Sequence, residues 1–137
     1  YMQDKGVKRV CCLLASEQLA AYEFDLPGFY SEVLDEDMVI WSPIPDGFLA
    51  SAVQMQEVLL PFLDEADRAR ERVVVHCAAC LGRTGHVLAA WLVHGRGMQP
   101  ETALQTVRLM GRKPAEAVAW GNATGEELLA LLRSCER

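Results

Sequence analysis

The chain has 137 residues, 51% of them hydrophobic, with a formal net charge of −6 at pH 7 and five cysteines. That is enough chain and enough apolar material for one domain, residues 1–137, with a core of its own. The negative balance argues against nucleic acid or an anionic membrane as a partner and reads as ordinary solubility charge, and no apolar run reaches the roughly 18 to 20 residues of a membrane span.

From the N-terminus, Lys8 to Leu14 is a β-branched and apolar run that reads as a buried strand. Ser16 is placed to cap a short helix through about Tyr22. After Pro27-Gly28, Phe29 to Leu34 reads as a small turn of helix and Met38 to Trp41 as a second strand. Ser42-Pro43-Ile44-Pro45-Asp46-Gly47 follows, where two prolines and a glycine specify a stiff loop. Ser51 with Gln54 three residues on forms a capping box. The helix it opens is expected to run to about Arg70, with Met55, Leu59, Phe62, Ala66 and Ala69 on its buried face.

Arg72 to Cys77 reads as the third strand. Gly85 to about His94 is a helix apolar nearly all round, hence central, and Gly95 to Gly97 stops it. Pro100 sits at a first helical position, with Ala103, Leu104, Val107 and Met110 as the buried face behind it. The chain is less regular past Pro114. Thr124 and Glu127 then form another capping box, and Leu128, Leu131, Leu132 and Cys135 line the last helix. Continuous apolar strands alternating with helices imply an α/β fold: a compact, mostly parallel sheet with helices on both faces. Such folds bind ligands at the carboxyl ends of their strands.

Cys11, Cys12 and Cys135 read as small buried hydrophobes rather than as a disulfide framework, which fits a reducing cytoplasm. No basic-then-apolar leader is visible, so a cytoplasmic location is expected. The chain opens at Tyr1 and Asp4-Lys5-Gly6 looks like the end of an element, so some N-terminal sequence is expected to be missing. No Cys/His cluster has zinc-like spacing: Cys77/Cys80 lacks a second pair, and His86 and His94 are eight apart.

The chemistry concentrates in His76-Cys77-Ala78-Ala79-Cys80-Leu81-Gly82-Arg83-Thr84-Gly85, directly after Val73-Val74-Val75. The spacing Cys-x5-Arg alone is weak; a strand before it and a helix after it make it specific. A loop folded around an anion points backbone N–H groups at one centre, and the following helix adds its positive dipole end. Small residues at Ala78, Ala79 and Gly82 let that backbone approach a phosphate closely. Arg83 can grip two phosphate oxygens with its planar fork. The same positive potential favours thiolate over thiol at Cys77, making it a competent nucleophile. Thr84 can place a hydroxyl near the sulfur, and His76 is expected to brace the loop rather than act as a base. Asp46 stands apart from the other acidic residues because a strand delivers it and two prolines stiffen its approach, which suits a general acid. A turn-capping aspartate is the other reading.

These residues resemble the signature loop of the cysteine-based protein phosphatases. The compact size and the Pro43-Ile44-Pro45-Asp46 loop resemble the small dual-specificity branch, especially its prokaryotic members. The run Gly6-Val7-Lys8-Arg9-Val10-Cys11-Cys12-Leu13 and the Arg108-x3-Arg112 helix end before Pro114 are also similar. The resemblance covers Gly6 to about Val118, although the outer strands that precede Gly6 in that family are not present here. It implies a protein-tyrosine-phosphatase-like fold and a two-step hydrolysis without metal or other cofactor. Cys77 attacks a phosphomonoester, Asp46 protonates the leaving oxygen and then assists water, and Arg83 with the N–H groups of residues 78 to 83 (Ala78, Ala79, Cys80, Leu81, Gly82) holds the equatorial oxygens. The partner is then a phosphorylated protein or a small phosphomonoester, and the chain is expected to act as a monomer.

Cys80 departs from the family, which has glycine there. It creates a C-x-x-C pair, so one reading is that Cys80 resolves a sulfenic acid on Cys77 as a disulfide, and the other is a tolerated small residue. The family's phosphoinositide-directed members carry lysines inside the loop, whereas this chain has Ala78, Ala79, Cys80 and Leu81. No tyrosine-recognition loop deepens the pocket, so a shallow site taking phosphotyrosine and also phosphoserine or phosphothreonine is expected. Arg112 reads as an ordinary helix-end cation, with a second anion contact as the alternative. Two rival functions stay open: a thiol oxidoreductase using Cys77 and Cys80, and an inactive phosphate-binding module.

Overall fold

The computed structural model describes residues 6–19, 30, 34, 36–77 and 82–137. Three parallel strands form one sheet in the order β2-β1-β3: β1 (Val7–Cys12), β2 (Val39–Trp41) and β3 (Arg72–His76). The chain leaves the central strand β1 to one side for β2 and to the other for β3. That reversal opens a crevice outside the carboxyl ends of the strands, where open α/β sheets take their ligands.

Register places Cys12 opposite both Trp41 and His76. The ladder continues past the strands: Leu13 N–H donates to the His76 carbonyl at 2.8 Å, Ser42 N–H to the Cys12 carbonyl at 2.9 Å, and Ile44 N–H to the Leu13 carbonyl at 3.1 Å. The stiff loop is therefore zipped to β1 as far as Ile44, and Asp46 follows two residues later. Side chains alternate across the sheet as a strand requires. Cys11 and Leu13 enter the main core, whereas Cys12 and Leu14 lie on the other face beside Tyr30.

The helices are α1 (Ser16–Leu19), α2 (Ala52–Gln54), α3 (Leu60–Arg68), α4 (Gly82–Arg96), α5 (Pro100–Leu109), α6 (Glu116–Ala119) and α7 (Gly125–Ser134). The expected small helix at Phe29 to Leu34 and the far end of the first helix fall largely outside the described residues. The long helix expected from Ser51 to Arg70 is interrupted: a π-helical turn, Met55–Leu59, separates α2 from α3. Pro61 supplies the reason. It has no N–H to give to the preceding turn and its ring would crowd it, so the helix widens just before it. The wider turn also rotates the buried face. Leu60 and Leu63 join Met55, Leu59, Phe62 and Ala66 in the core, and Ala69 is exposed.

Ser51 caps α2 by accepting from Gln54 N–H at 3.0 Å, but the Gln54 side chain does not return to Ser51. Its amide donates instead to Ser42 Oγ (2.7 Å) and to the Pro43 carbonyl (3.0 Å). The second capping box is reciprocal, with Thr124 and Glu127 bonding each other's backbone N–H. Helix α4 is central, with Val87, Ala89, Ala90 and Val93 buried, and Leu128, Leu131, Leu132 and Cys135 of the last helix close the core. Met110, expected in the core, is exposed because α5 ends at Leu109 and turns away there.

Candidate active site

The carboxyl end of β3 and the first turn of α4 bring Cys77 and Thr84 of the signature together. Cys77 is buried, and the Thr84 hydroxyl donates to its Sγ at 3.2 Å. His76 lies just before it at the strand end. Burial lowers the His76 pKa, opposed by a hydrogen bond to the Cys77 carbonyl. The other ring nitrogen, Nε2, is 3.1 Å from the Tyr30 hydroxyl, and the two rings meet edge to face. The Tyr30 contact fixes the orientation of the His76 ring at the end of β3. Ala78, Ala79, Cys80 and Leu81 lie outside the described residues, and with them the proposed 77–80 disulfide.

Arg83 is buried at 3% exposure. Its Nη1 donates to Gln18 Oε1 at 2.6 Å and to the Ile44 carbonyl at 3.0 Å, and its Nη2 stands 3.4 Å from Asp46 Oδ1. The guanidinium therefore joins the start of α4 to the stiff loop that carries Asp46. The Asp46 carboxylate itself is half-exposed, within reach of a ligand. Gln18 was not singled out from the sequence. A glutamine near the start of a short helix carries no signal until the fold places it; here its Oε1 also accepts from Ala15 N–H at 3.1 Å, which fixes it in front of Arg83.

The acid-bearing loop is tied down along its length. Gln54 holds Ser42 and Pro43, Arg83 holds the Ile44 carbonyl, and Asn122 Nδ2 donates to the Gly47 carbonyl at 2.9 Å. Phe48 N–H closes a turn on the Pro45 carbonyl at 3.1 Å. Gly47 has φ +81, and the Trp120 ring occupies the space a Cβ would need, so this turn requires glycine for two reasons. Farther on, Ala50 N–H donates to His86 Nε2 at 3.0 Å. Gly85 admits Pro114 and the Arg112 Cβ against the start of α4, which brings the Arg112 backbone close to the turn that carries Arg83 and Thr84.

The remaining described cysteines are of a different kind. Cys11, Cys12 and Cys135 are buried and free, and burial raises the pKa of all three, Cys11 to about 12. They behave as core residues. Among the described residues no group of three His, Cys, Asp or Glu side chains is gathered as metal ligands would be. None of the described helices is long and apolar enough to cross a membrane.

A three-stranded parallel core, a Cys-x5-Arg segment bridging strand and helix, and an aspartate loop docked on that arginine define the class of cysteine-based protein phosphatases. Residues 1–96 match the family described as Tc-R-P, the DSP-PTPase phosphatase of polymorphic toxin systems, and the chain belongs to that family. It is also similar to the tyrosine-protein phosphatase cdc-14 of Caenorhabditis elegans, 35% identical over 51 residues that make up 37% of this chain and 7% of that protein. Among solved structures, Tk-PTP in its active form aligns over 96% of this chain and 80% of its own, with 27% identity and TM-score 0.70. Kinase associated phosphatase aligns over 96% and 69%, with 17% identity and TM-score 0.72, a likeness of fold.

Proposed function

We propose that residues 1–137 form one catalytic unit that hydrolyses phosphomonoesters through a cysteinyl-phosphate intermediate, without a metal. Its proposed substrates are phosphotyrosine and also phosphoserine and phosphothreonine in proteins. The observation that carries this reading is the reach of Arg83 across the site, to the Ile44 carbonyl and the Asp46 carboxylate. A Cys-x-x-Cys redox site has no use for such a link.

In the first step the Cys77 sulfur attacks phosphorus in line, the ester P–O bond breaks, and the leaving oxygen takes a proton from Asp46. In the second, Asp46 takes a proton from the water that attacks phosphorus. The S–P bond breaks and the sulfur leaves with its electron pair, stabilised by the Thr84 hydroxyl. Arg83 and the backbone N–H groups of residues 78–83 hold the equatorial oxygens, where charge builds in both transition states. Phe48 and Trp120, both exposed beside Gly47, offer aromatic surface to an aryl phosphate. Membership of a polymorphic toxin family supports reading this unit as the phosphatase part of such a system. We place its action in a reducing cytoplasm, where buried free thiols persist, and as a monomer.

The test is hydrolysis of p-nitrophenyl phosphate in the presence of a chelator by wild type, Cys77→Ser and Asp46→Ala, with phosphotyrosine and phosphoserine peptides in parallel. Activity is expected to fall to background in Cys77→Ser and by roughly 100-fold or more on the peptides in Asp46→Ala. Reduction of insulin disulfides without phosphatase activity would favour the redox reading instead, and phosphate binding without turnover the inactive module.

A further inference from the structure

His86 stands on the first turns of α4 at 1% exposure, and both of its ring nitrogens are engaged. Nδ1 is 3.1 Å from the Gly82 carbonyl one turn earlier, and Nε2 is 3.0 Å from the Ala50 nitrogen. A backbone N–H can only donate, so Nε2 carries the lone pair and Nδ1 the proton. The imidazole is held neutral and in one tautomer. Burial lowers its pKa to about 4, with the Arg83 charge acting in the same direction and the Gly82 bond against it. Charged groups lining the same crevice are Arg83 on its own helix, which pairs with Asp46 of the facing loop, and Glu116 of α6, which packs against Gly82.

The two partners of this ring are informative. Gly82 is the first residue of α4, at the exit of the phosphate loop. Ala50 is the downstream end of the loop that carries Asp46. Upstream of Asp46 that loop is fixed by Arg83 at Ile44; downstream it is fixed by Asn122 at Gly47 and by His86 at Ala50. With the imidazole in place the crevice between Gly47–Leu49 and Gly82–His86 has no room for a water molecule, so the ring itself is the partner of the buried Ala50 N–H.

We propose that His86 is a positioning residue for Asp46: it ties the downstream end of the acid loop to the helix turn bearing Arg83 and Thr84, and so sets where the carboxyl stands relative to the phosphate. This rests on the reading of Asp46 as general acid. Displacing a catalytic group by about 1 Å can cost on the order of 100-fold in rate.

A general acid matters most when the leaving group is poor. The readout is therefore the ratio of kcat/KM on p-nitrophenyl phosphate to that on phosphotyrosine, whose leaving hydroxyl has a pKa of about 10. Loss of the acid raises this ratio, whereas general loosening of the site lowers both rates together. His86→Leu removes both hydrogen bonds at similar volume and is expected to raise the ratio about 10-fold or more, with KM little changed. His86→Gln keeps an acceptor at the Nε2 position and should restore most of the wild-type ratio. His86→Asn reaches Gly82 but not Ala50 and should behave like His86→Leu; this polar pair keeps the comparison available if the leucine variant does not fold. Asp46→Ala is the reference. If Asp46→Ala raises the ratio and neither His86→Leu nor His86→Asn does, the positioning role is overturned and the acid reading stands. If Asp46→Ala leaves the ratio unchanged, the acid reading fails and the role of His86 falls with it.

Discussion

On the first turns of α4, Thr84 bonds through its hydroxyl and His86 through both ring nitrogens. The Thr84 hydroxyl points at Cys77 Sγ, and a hydrogen bond to a group that gains charge as it leaves contributes about 1.5–3 kcal/mol. Thr84→Ala should therefore slow turnover by roughly 10-fold or more with KM little changed, because the bond matters most when the sulfur leaves as an anion. Steady-state kinetics on p-nitrophenyl phosphate check this. His86 couples to stability as well. Its pKa is about 4 in the folded chain against 6.5 for an unperturbed histidine, so between those values the unfolded chain binds more protons. Stability attributable to His86 is complete above pH 6.5 and is lost on acidification toward pH 4, by on the order of 3 kcal/mol. His76, also lowered by burial, acts with the same sign. Urea unfolding at several pH values should show a shallower acid decline in His86→Gln than in wild type.

At the scale of the element, the loop carrying Asp46 is the part most dependent on its neighbours. β1 and Gln54 each hold two of its backbone groups or hydroxyls, and Arg83, Asn122 and His86 each hold one of its backbone groups. Gly47→Ala would place a methyl group in the Trp120 ring at a positive φ, so a loss of about 2–3 kcal/mol is expected. Thermal denaturation measures the loss, and activity on phosphotyrosine should fall with it because Asp46 is the adjacent residue. The sequence announced the stiffness of this loop through Pro43, Pro45 and Gly47. It did not announce the ties, because Gln18, Gln54, His86 and Asn122 are polar residues whose partners are remote in the chain. Gln54 shows the limit well. Its spacing from Ser51 matches a capping box, yet two acceptors on the loop hold its amide instead. Pro61 was equally visible, but a proline in a helical pattern does not say whether the helix will kink, stop or widen.

At the scale of the molecule, the three strands were legible as apolar runs, and the parallel order followed from the helices between them. Cys11, Cys12 and Cys135 were legible as core residues because small apolar-like thiols in periodic positions have few other roles. The strand-then-helix setting of the signature also marked where Cys77 and Arg83 would stand. What only the fold supplies is the meeting of Arg83 with Asp46, since β1 must lie between β2 and β3 for the two loops to face one another. In the proposed function, that meeting serves covalent phosphoryl transfer at Cys77. The most direct test is to quench wild-type protein in acid within its first turnovers of p-nitrophenyl phosphate and map the peptides by mass. One phosphoryl group is predicted on the peptide bearing Cys77, with none in Cys77→Ser and no turnover by that variant. Hydrolysis by Cys77→Ser at the wild-type rate, with no phosphorylated peptide in either protein, would contradict the account.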